Sequence, residues 1–259
     1  MGTVSKALSL LNLFTHARTE IGLSDAARLS GLNKATTYRL LRDLQAEGFV
    51  EQVGTDRAYR LGSTVLRLAA LREASVPLLS VSRQVLQELC DATGETAHMS
   101  ALQGDRLVTT AYVYSPAFAT KVTMDDAEVL ALHATGSGLA VLGFAAPVFV
   151  ERVLAAPLPA LTERTITDPG QIRAVLAEVG KAGLAESIGA FEAEVHSNAA
   201  PVFDATGHPM GAIAVAAPMT RMTPDRRALI RTAVMEAGAT LTRRLGGFPP
   251  DAYPGDVAA

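Results

Sequence analysis

The chain has 259 residues, of which 49% are hydrophobic and 19% charged, with a formal net charge of -3. That composition describes one or two globular domains with real cores and excludes a disordered chain. Its single cysteine, Cys90, excludes an internal disulfide and a thiolate metal cluster and fits a reducing cytoplasm. The apolar cluster "ALSLLNLF" (7–14) is broken by Ser9 and Asn12 and lacks a following cleavage site, so no signal peptide is expected. No apolar run reaches the length of a membrane span. Residues 1–62 hold eight Lys/Arg against six Asp/Glu, whereas the remainder holds fifteen against twenty. The more basic start is a mild pointer to nucleic acid.

In chain order, "TVSKALSLLNLFTH" (3–16) predicts a helix with Val4, Leu8, Leu11 and Phe14 on one stripe, capped by Thr3 or Ser5. "LSDAARLSG" (23–31) predicts a short second helix with Ser24 as N-cap, Ala27 and Leu29 inward, and Gly31 as its stop. "NKATTYRLLRDLQAEG" (33–48) predicts a third, with Asn33 as N-cap, Tyr38, Leu41 and Leu44 inward, and Gly48 at its end. "FVEQVGTDRAYRLG" then alternates around a Gly-Thr-Asp turn, as a β-hairpin does. Three helices and a hairpin make a winged helix-turn-helix over residues 1–62. "STVLRLAALREAS" (63–75), with apolar Val65, Leu68, Ala69 and Leu71, reads as a linker helix ending before Pro77.

The second domain, 76–246, should open with a helix over 77–94, followed by strands at 96–103 and 106–114 and a short one at 120–124. Helices are expected over about 135–156 and 169–182, and strands in "EVHSNAAPVF" and "PMGAIAVAAP" around the turn "DATGHP". A helix over 223–246, capped by Thr223 with Pro224 at N1, closes an α+β sensor-type domain with an antiparallel sheet. The Pro-rich tail, 247–259, is expected to be disordered.

In a helix-turn-helix the start of the second motif helix reaches base edges. Here that places Asn33, Lys34, Thr36, Thr37 and Arg39 toward a DNA groove, with Tyr38 contacting backbone or core. Arg42 and the hairpin residues Arg57 and Arg60 are placed for phosphates or the minor groove. Solvated charges on a small helical bundle are the plainer reading; the helix lengths, the Gly31-Leu32 turn and the basic hairpin favour DNA.

Two stretches suit a small molecule. In "HATGSGLA" (133–140), Gly136 and Gly138 either let a helix start pack closely on a sheet or free the amides of Gly136 and Ser137 for an anionic or carbonyl oxygen. Without a Gly-Lys-Ser/Thr it is no nucleotide-hydrolysing loop. In "EAEVHSNAAP" (192–201), alternation sends Ala193, Val195, Ser197 and Ala199 to the core face and Glu192, Glu194, His196 and Asn198 to the other, with Glu194 and His196 toward solvent. His98, His133, His196 and His208 show no metal-ligand spacing, and Ser137 and Ser197 no catalytic-triad context. Neither a cofactor, nor a metal, nor an enzymatic activity is expected.

The blocks "VSKALSLLNLF", "LSDAARLSGLNKATTYRLLRDLQAEGFV", "YRLG", "LHATGSGLAVL", "EVHSNAAPVFDATGHPMGAIAVAAP" and "MTPDRRALI" follow one another over nearly the whole chain. In this order they resemble the isocitrate lyase regulator (IclR) family of bacterial transcription factors. The resemblance implies a GAF-like effector-binding domain behind the winged helix and a homodimer or homotetramer on palindromic double-stranded DNA. It also implies repression or activation, often of catabolic or transport genes. Positions matching Gly136, Ser137, Ser187, Val195, Ser197, Ala214 and Ala216 line the effector cavity in relatives. Ala35 stands where many relatives carry Ser, and Ala214 and Ala216 where acid-binding relatives carry hydroxyls. The expected pocket is therefore roomier and less polar, for a small organic acid with a hydrophobic part. The alternative is a small-molecule sensor or enzyme whose winged helix makes protein contacts.

Overall fold

A computed structural model describes residues 2–14, 18–54, 57–75, 78–125 and 128–254. The chain divides into two units, 1–77 and 78–259.

In the first unit, α1 (Thr3–Leu11), α2 (Leu23–Ser30) and α3 (Lys34–Ala46) precede the antiparallel pair β1 (Val50–Val53) and β2 (Ala58–Leu61), and α4 (Ser63–Ser75) follows. Thr55 and Asp56 of the predicted turn lie outside the described residues. Leu10, Ile21, Leu40, Leu41, Val50 and Tyr59 are at the centre of the core. Two apolar stripes overlap on α1, and the one that packs differs from the one expected. Leu10 is buried with Ala7, Leu11 and Phe14 beside it, while Val4 and Leu8 are exposed. Gly2, not Thr3 or Ser5, is the N-cap of α1. Gly22 rather than Ser24 caps α2, whose Ala26 and Ala27 turn inward and whose Leu29 is exposed. Gly31 ends α2 at φ 68, a left-handed turn that glycine adopts without strain. On α4, Leu66, Leu68 and Leu71 are exposed.

The second unit is built on a six-stranded antiparallel sheet in the order β5-β4-β3-β8-β7-β6. Its strands are β3 (Thr96–Gln103), β4 (Arg106–Val113), β5 (Val129–Leu130), β6 (Ala185–Ile188), β7 (Val195–Phe203) and β8 (Pro209–Pro218). The helices are α5 (Leu78–Thr93), α6 (Gly136–Leu142), α7 (Pro147–Ala155), α8 (Pro169–Ala182) and α9 (Pro224–Arg244). Thr223 caps α9 as expected, its side chain accepting from Arg226 N. The predicted strand at 120–124 does not form. That segment is instead tied to the sheet by side chains: Thr96 Oγ1 donates to Val122 O and Tyr114 OH bridges Met124 N and O. The short β5 and β6 are additional to the predicted strands.

Helices cover both faces of the sheet. Gly238 of α9 lies against Ala200, and Gly136 of α6 lies against Ser197, the opposite face of β7. His196 therefore does not face solvent: it is 4% exposed on the α9 side, and Asn198 beside it is fully buried. The tail also departs from expectation. Tyr253 donates to Gly183 O and stacks near Phe144 and Phe203, with ring centroids 5.2 and 5.3 Å away. Residues 255–259 lie outside the described residues. Among those described, no helix is long and apolar enough to cross a membrane.

Candidate functional site

The start of α3 is organised by Asn33, whose side chain accepts from Thr36 N at 2.8 Å and leaves the first turn projecting from the unit. Lys34, Ala35, Tyr38, Arg39 and Arg42 are exposed. Thr37 is not available to a groove: it is fully buried, its hydroxyl donating to Asn33 O at 3.0 Å. Thr37, Leu40, Leu41 and Leu44 form the inward stripe, so Tyr38 is turned outward, 47% exposed.

The wing lies beside this helix. Arg42 of α3 and Arg57 of the wing turn both act electrostatically on the buried Tyr59 hydroxyl, whose pKa burial raises and these cations lower. Arg57 has a left-handed backbone, φ 56, and its carbonyl accepts from Gln52 Nε2. Arg60 is spoken for, since it bonds Glu51 at 2.6 Å across the β1–β2 pair. Among the described residues, Lys34, Arg39 and Arg42 of α3 and Arg57 of the wing have no carboxylate at ion-pair distance.

In the second unit a cavity of about 40 Å³ opens between α6 and the sheet. By the same measure a water needs about 10–15 Å³, so this cavity suits a small ligand. Ser137, Ser187, Val195, Ser197 and Ala216 line it. Gly136 and Ala214 do not. A Cβ on Gly136 would stand 2.9 Å from Ser197 Oγ, and Ala214 is buried in the core beneath. A Cβ on Gly138 would meet the Leu132 carbonyl oxygen at 2.4 Å, so of the two readings of this glycine close packing holds. Thr135, also at the wall, caps α6 by accepting from Gly138 N.

Several lining groups were not foreseen. His98 lies 3.3 Å from Ser137 Oγ through Nε2, and its buried Nδ1 has no partner. Burial lowers its pKa to about 4, so it is neutral near pH 7. Among the described residues no carboxylate orients it, which separates this pair from a catalytic triad. Glu128 and Glu192 also line the cavity, Glu192 at its exposed rim. Their pKa values are raised, first by burial and then by neighbouring carboxylates. The pocket wall is mostly apolar but carries two carboxylates and, among the described lining residues, no Lys or Arg.

Behind Ser187, on the α9 side of β6, Glu186 accepts from His196 Nε2 at 2.7 Å and from both Arg227 Nε and Nη2. Burial opposes ionisation here, but these bonds and charges hold its pKa down to about 2. Because the folded value lies below the ordinary 4.5, the stability this group contributes is present above that pH and lost as pH falls toward 2. Glu186→Gln should therefore cost about 2 kcal/mol at pH 7, with the gap to wild type closing on acidification. Urea unfolding at pH 7 and pH 3 checks this; a gap that stays constant contradicts it. His133 bonds Pro159 O and His208 bonds Thr206 Oγ1, far from converging. Among the described residues no group of three or more His, Cys, Asp or Glu is placed to hold a metal.

A winged helix with an unpaired cationic reading face, carried on a chain with a cavity-bearing α+β unit, defines a DNA-binding regulator. Comparison with known proteins agrees. Residues 3–54 match the IclR helix-turn-helix domain and 71–243 the C-terminal domain of bacterial IclR transcriptional regulators. The chain is 31% identical to the glycerol operon regulatory protein of Streptomyces griseus, over 94% of this chain and 96% of that protein. It is 28% identical to the transcriptional repressor IclR of Escherichia coli K12, over 95% and 90%. A crystal structure of an IclR transcriptional regulator from Silicibacter sp. TM1040 is 60% identical, with TM-score 0.91, over 98% of this chain and all of that one. The chain belongs to the IclR family of bacterial transcriptional regulators, which are not enzymes.

Proposed function

We propose that this regulator is ligand-responsive and sequence-specific, acting in the cytoplasm as a homodimer or homotetramer on a palindromic operator. The carrying observation is a set of four cations with no ion-pair partner among the described residues, Lys34, Arg39 and Arg42 on α3 and Arg57 in the wing. Lys34, Thr36 and Arg39 read base edges, with Asn33 holding the helix start open; Tyr38, Arg42 and Arg57 contact backbone. Thr37 supports the helix from within, and Arg60 is a weaker contact because Glu51 already neutralises it. Relatives named as regulators of the glycerol and acetate operons support control of genes for small carbon compounds. The effector enters the cavity at Ser137, Ser187, Val195, Ser197 and Ala216, with Gly136 and Ala214 shaping its wall from behind. It changes operator affinity only as far as it binds the two states of the oligomer unequally. An organic acid, the effector class first expected, would have to approach Glu128 and Glu192.

Salt titration of operator binding is the test. Counterion release makes log affinity fall with log salt by about 0.9 per neutralised phosphate. Arg57→Ala should lower that slope by about one and weaken all sequences alike, whereas Arg60→Ala should change it less. Binding that ignores salt would mean the winged helix meets protein instead of DNA.

A further inference from the structure

We propose that the cavity at Ser137 and Ser197 takes a small organic ammonium compound, held at the rim by Glu128 and Glu192. The inference rests on the reading of this cavity as the effector site and names the ligand's charge.

The buried carboxylates of this unit are paired with cations. Glu95, 1% exposed, is bonded by Arg221 and Arg226. Glu186 is bonded by His196 and Arg227, with Arg231 at 3.8 Å. Glu128, half-buried, and Glu192, exposed at the rim, both line the cavity, and among the described residues neither has an ion-pair partner. The charge of Asp125 adds to both, so the rim is more acidic still. A carboxylate left without a protein cation beside a cavity is the partner a cationic ligand needs.

The rest of the wall agrees. Val122, Met124, Leu130 and Phe191 offer an apolar surface for a short carbon chain. His98, neutral near pH 7, lines the cavity without attracting an anion, and among the described residues its buried Nδ1 has no partner. An anionic ligand would be desolvated beside two like charges, which disfavours it; an ammonium group gains two charge-assisted hydrogen bonds. Burial, and after it the neighbouring carboxylate charge, raises the pKa of both groups, and a bound cation would favour their ionised forms.

The test is calorimetric titration of the full chain with propylamine and ethanolamine, against propionate, glycolate and 1-propanol of matched size. The amines should bind about 10–100-fold more tightly than the matched acids. The preference should vanish in Glu128→Gln/Glu192→Gln, and Ala216→Leu, which fills the cavity, should abolish binding of every compound. If the double variant fails to fold, Glu192→Gln alone, at the exposed rim, gives the same readout. Should the acids or the alcohol bind better, and still be blocked by Ala216→Leu, the effector cavity stands and the ammonium inference falls. If no compound binds, or binding survives Ala216→Leu, both fall.

Discussion

Exchanging Lys34 and Arg39 together for alanine is expected to weaken operator binding by about 30- to 20,000-fold while leaving the fold unchanged. Each side chain is exposed, and among the described residues neither meets a carboxylate, so neither contributes a contact that the isolated protein needs. Alanine is also the better helix former, so the thermal transition should move by no more than about 0.5 kcal/mol equivalent. On DNA the position changes. A basic side chain that reads guanine acceptors contributes about 1–3 kcal/mol, so losing two removes about 2–6 kcal/mol. The operator is obtained by selecting random duplexes with the wild-type chain, and affinity is read by gel shift at fixed salt. The two single variants should differ in kind. A base-reading residue relaxes preference at one position of the site, whereas a phosphate contact weakens all sequences equally. If the double variant binds the selected operator as wild type does, the face at the start of α3 is not the reading head.

That face was legible because local chemistry determines it. Asn33 can cap only if the helix starts at Lys34, and Gly31 can close the preceding turn because it tolerates a left-handed backbone. What was misread is a rotation of about one residue. Weighting Tyr38 as apolar drew the inward stripe toward it, but Thr37 with Leu40, Leu41 and Leu44 has the same helical spacing, and its hydroxyl is satisfied by Asn33 O. A threonine that bonds its own helix can be buried at little cost; a tyrosine hydroxyl there would need a partner.

The sensor unit was less legible for a different reason. Alternation on β7 was read as one buried and one wet face, yet α9 covers the second face and His196 is buried against Glu186. Sheets covered on both sides defeat that reading, because polar residues persist inside when they pair. Glu128 lies just before the two-residue β5, where no periodicity marks it, and Glu192, read as the outward start of an alternating strand, lies before β7 begins at Val195. Their placement comes from long-range strand pairing, β4 with β5 and β6 with β7. Similarly, Tyr253 sits in a Pro-rich stretch whose composition says nothing of the aromatic pair waiting for it at Phe144 and Phe203.

Glu95→Ala should destabilise the C-terminal unit by about 3–5 kcal/mol, among the largest effects of any single substitution in this chain. The carboxylate stands between α5 and β3, 1% exposed, and takes Arg221 Nε at 2.8 Å and Arg226 Nη2 at 3.0 Å on Oε1, with Arg221 Nη2 on Oε2. The same two guanidinium groups reach Thr120 O and Thr93 O and lie over the Phe118 ring. One carboxylate thus joins the end of α5, the segment after β4 and the start of α9. Arg226 occupies the first turn of α9, where the helix dipole disfavours a cation, so its position depends on Glu95. Removing Glu95 leaves Arg221, only 19% exposed, with its charge uncompensated. For a unit of this size each kcal/mol shifts the melting temperature by about 2–4 °C, so a drop of about 6–20 °C is expected in calorimetry of the full chain. Arg152→Ala is the control. Its pair with Asp105 has both side chains 59% exposed and should cost about 0–1 kcal/mol. Were the two variants to melt alike, the Glu95 cluster would be a surface ornament, and α9 would be held by its apolar face alone.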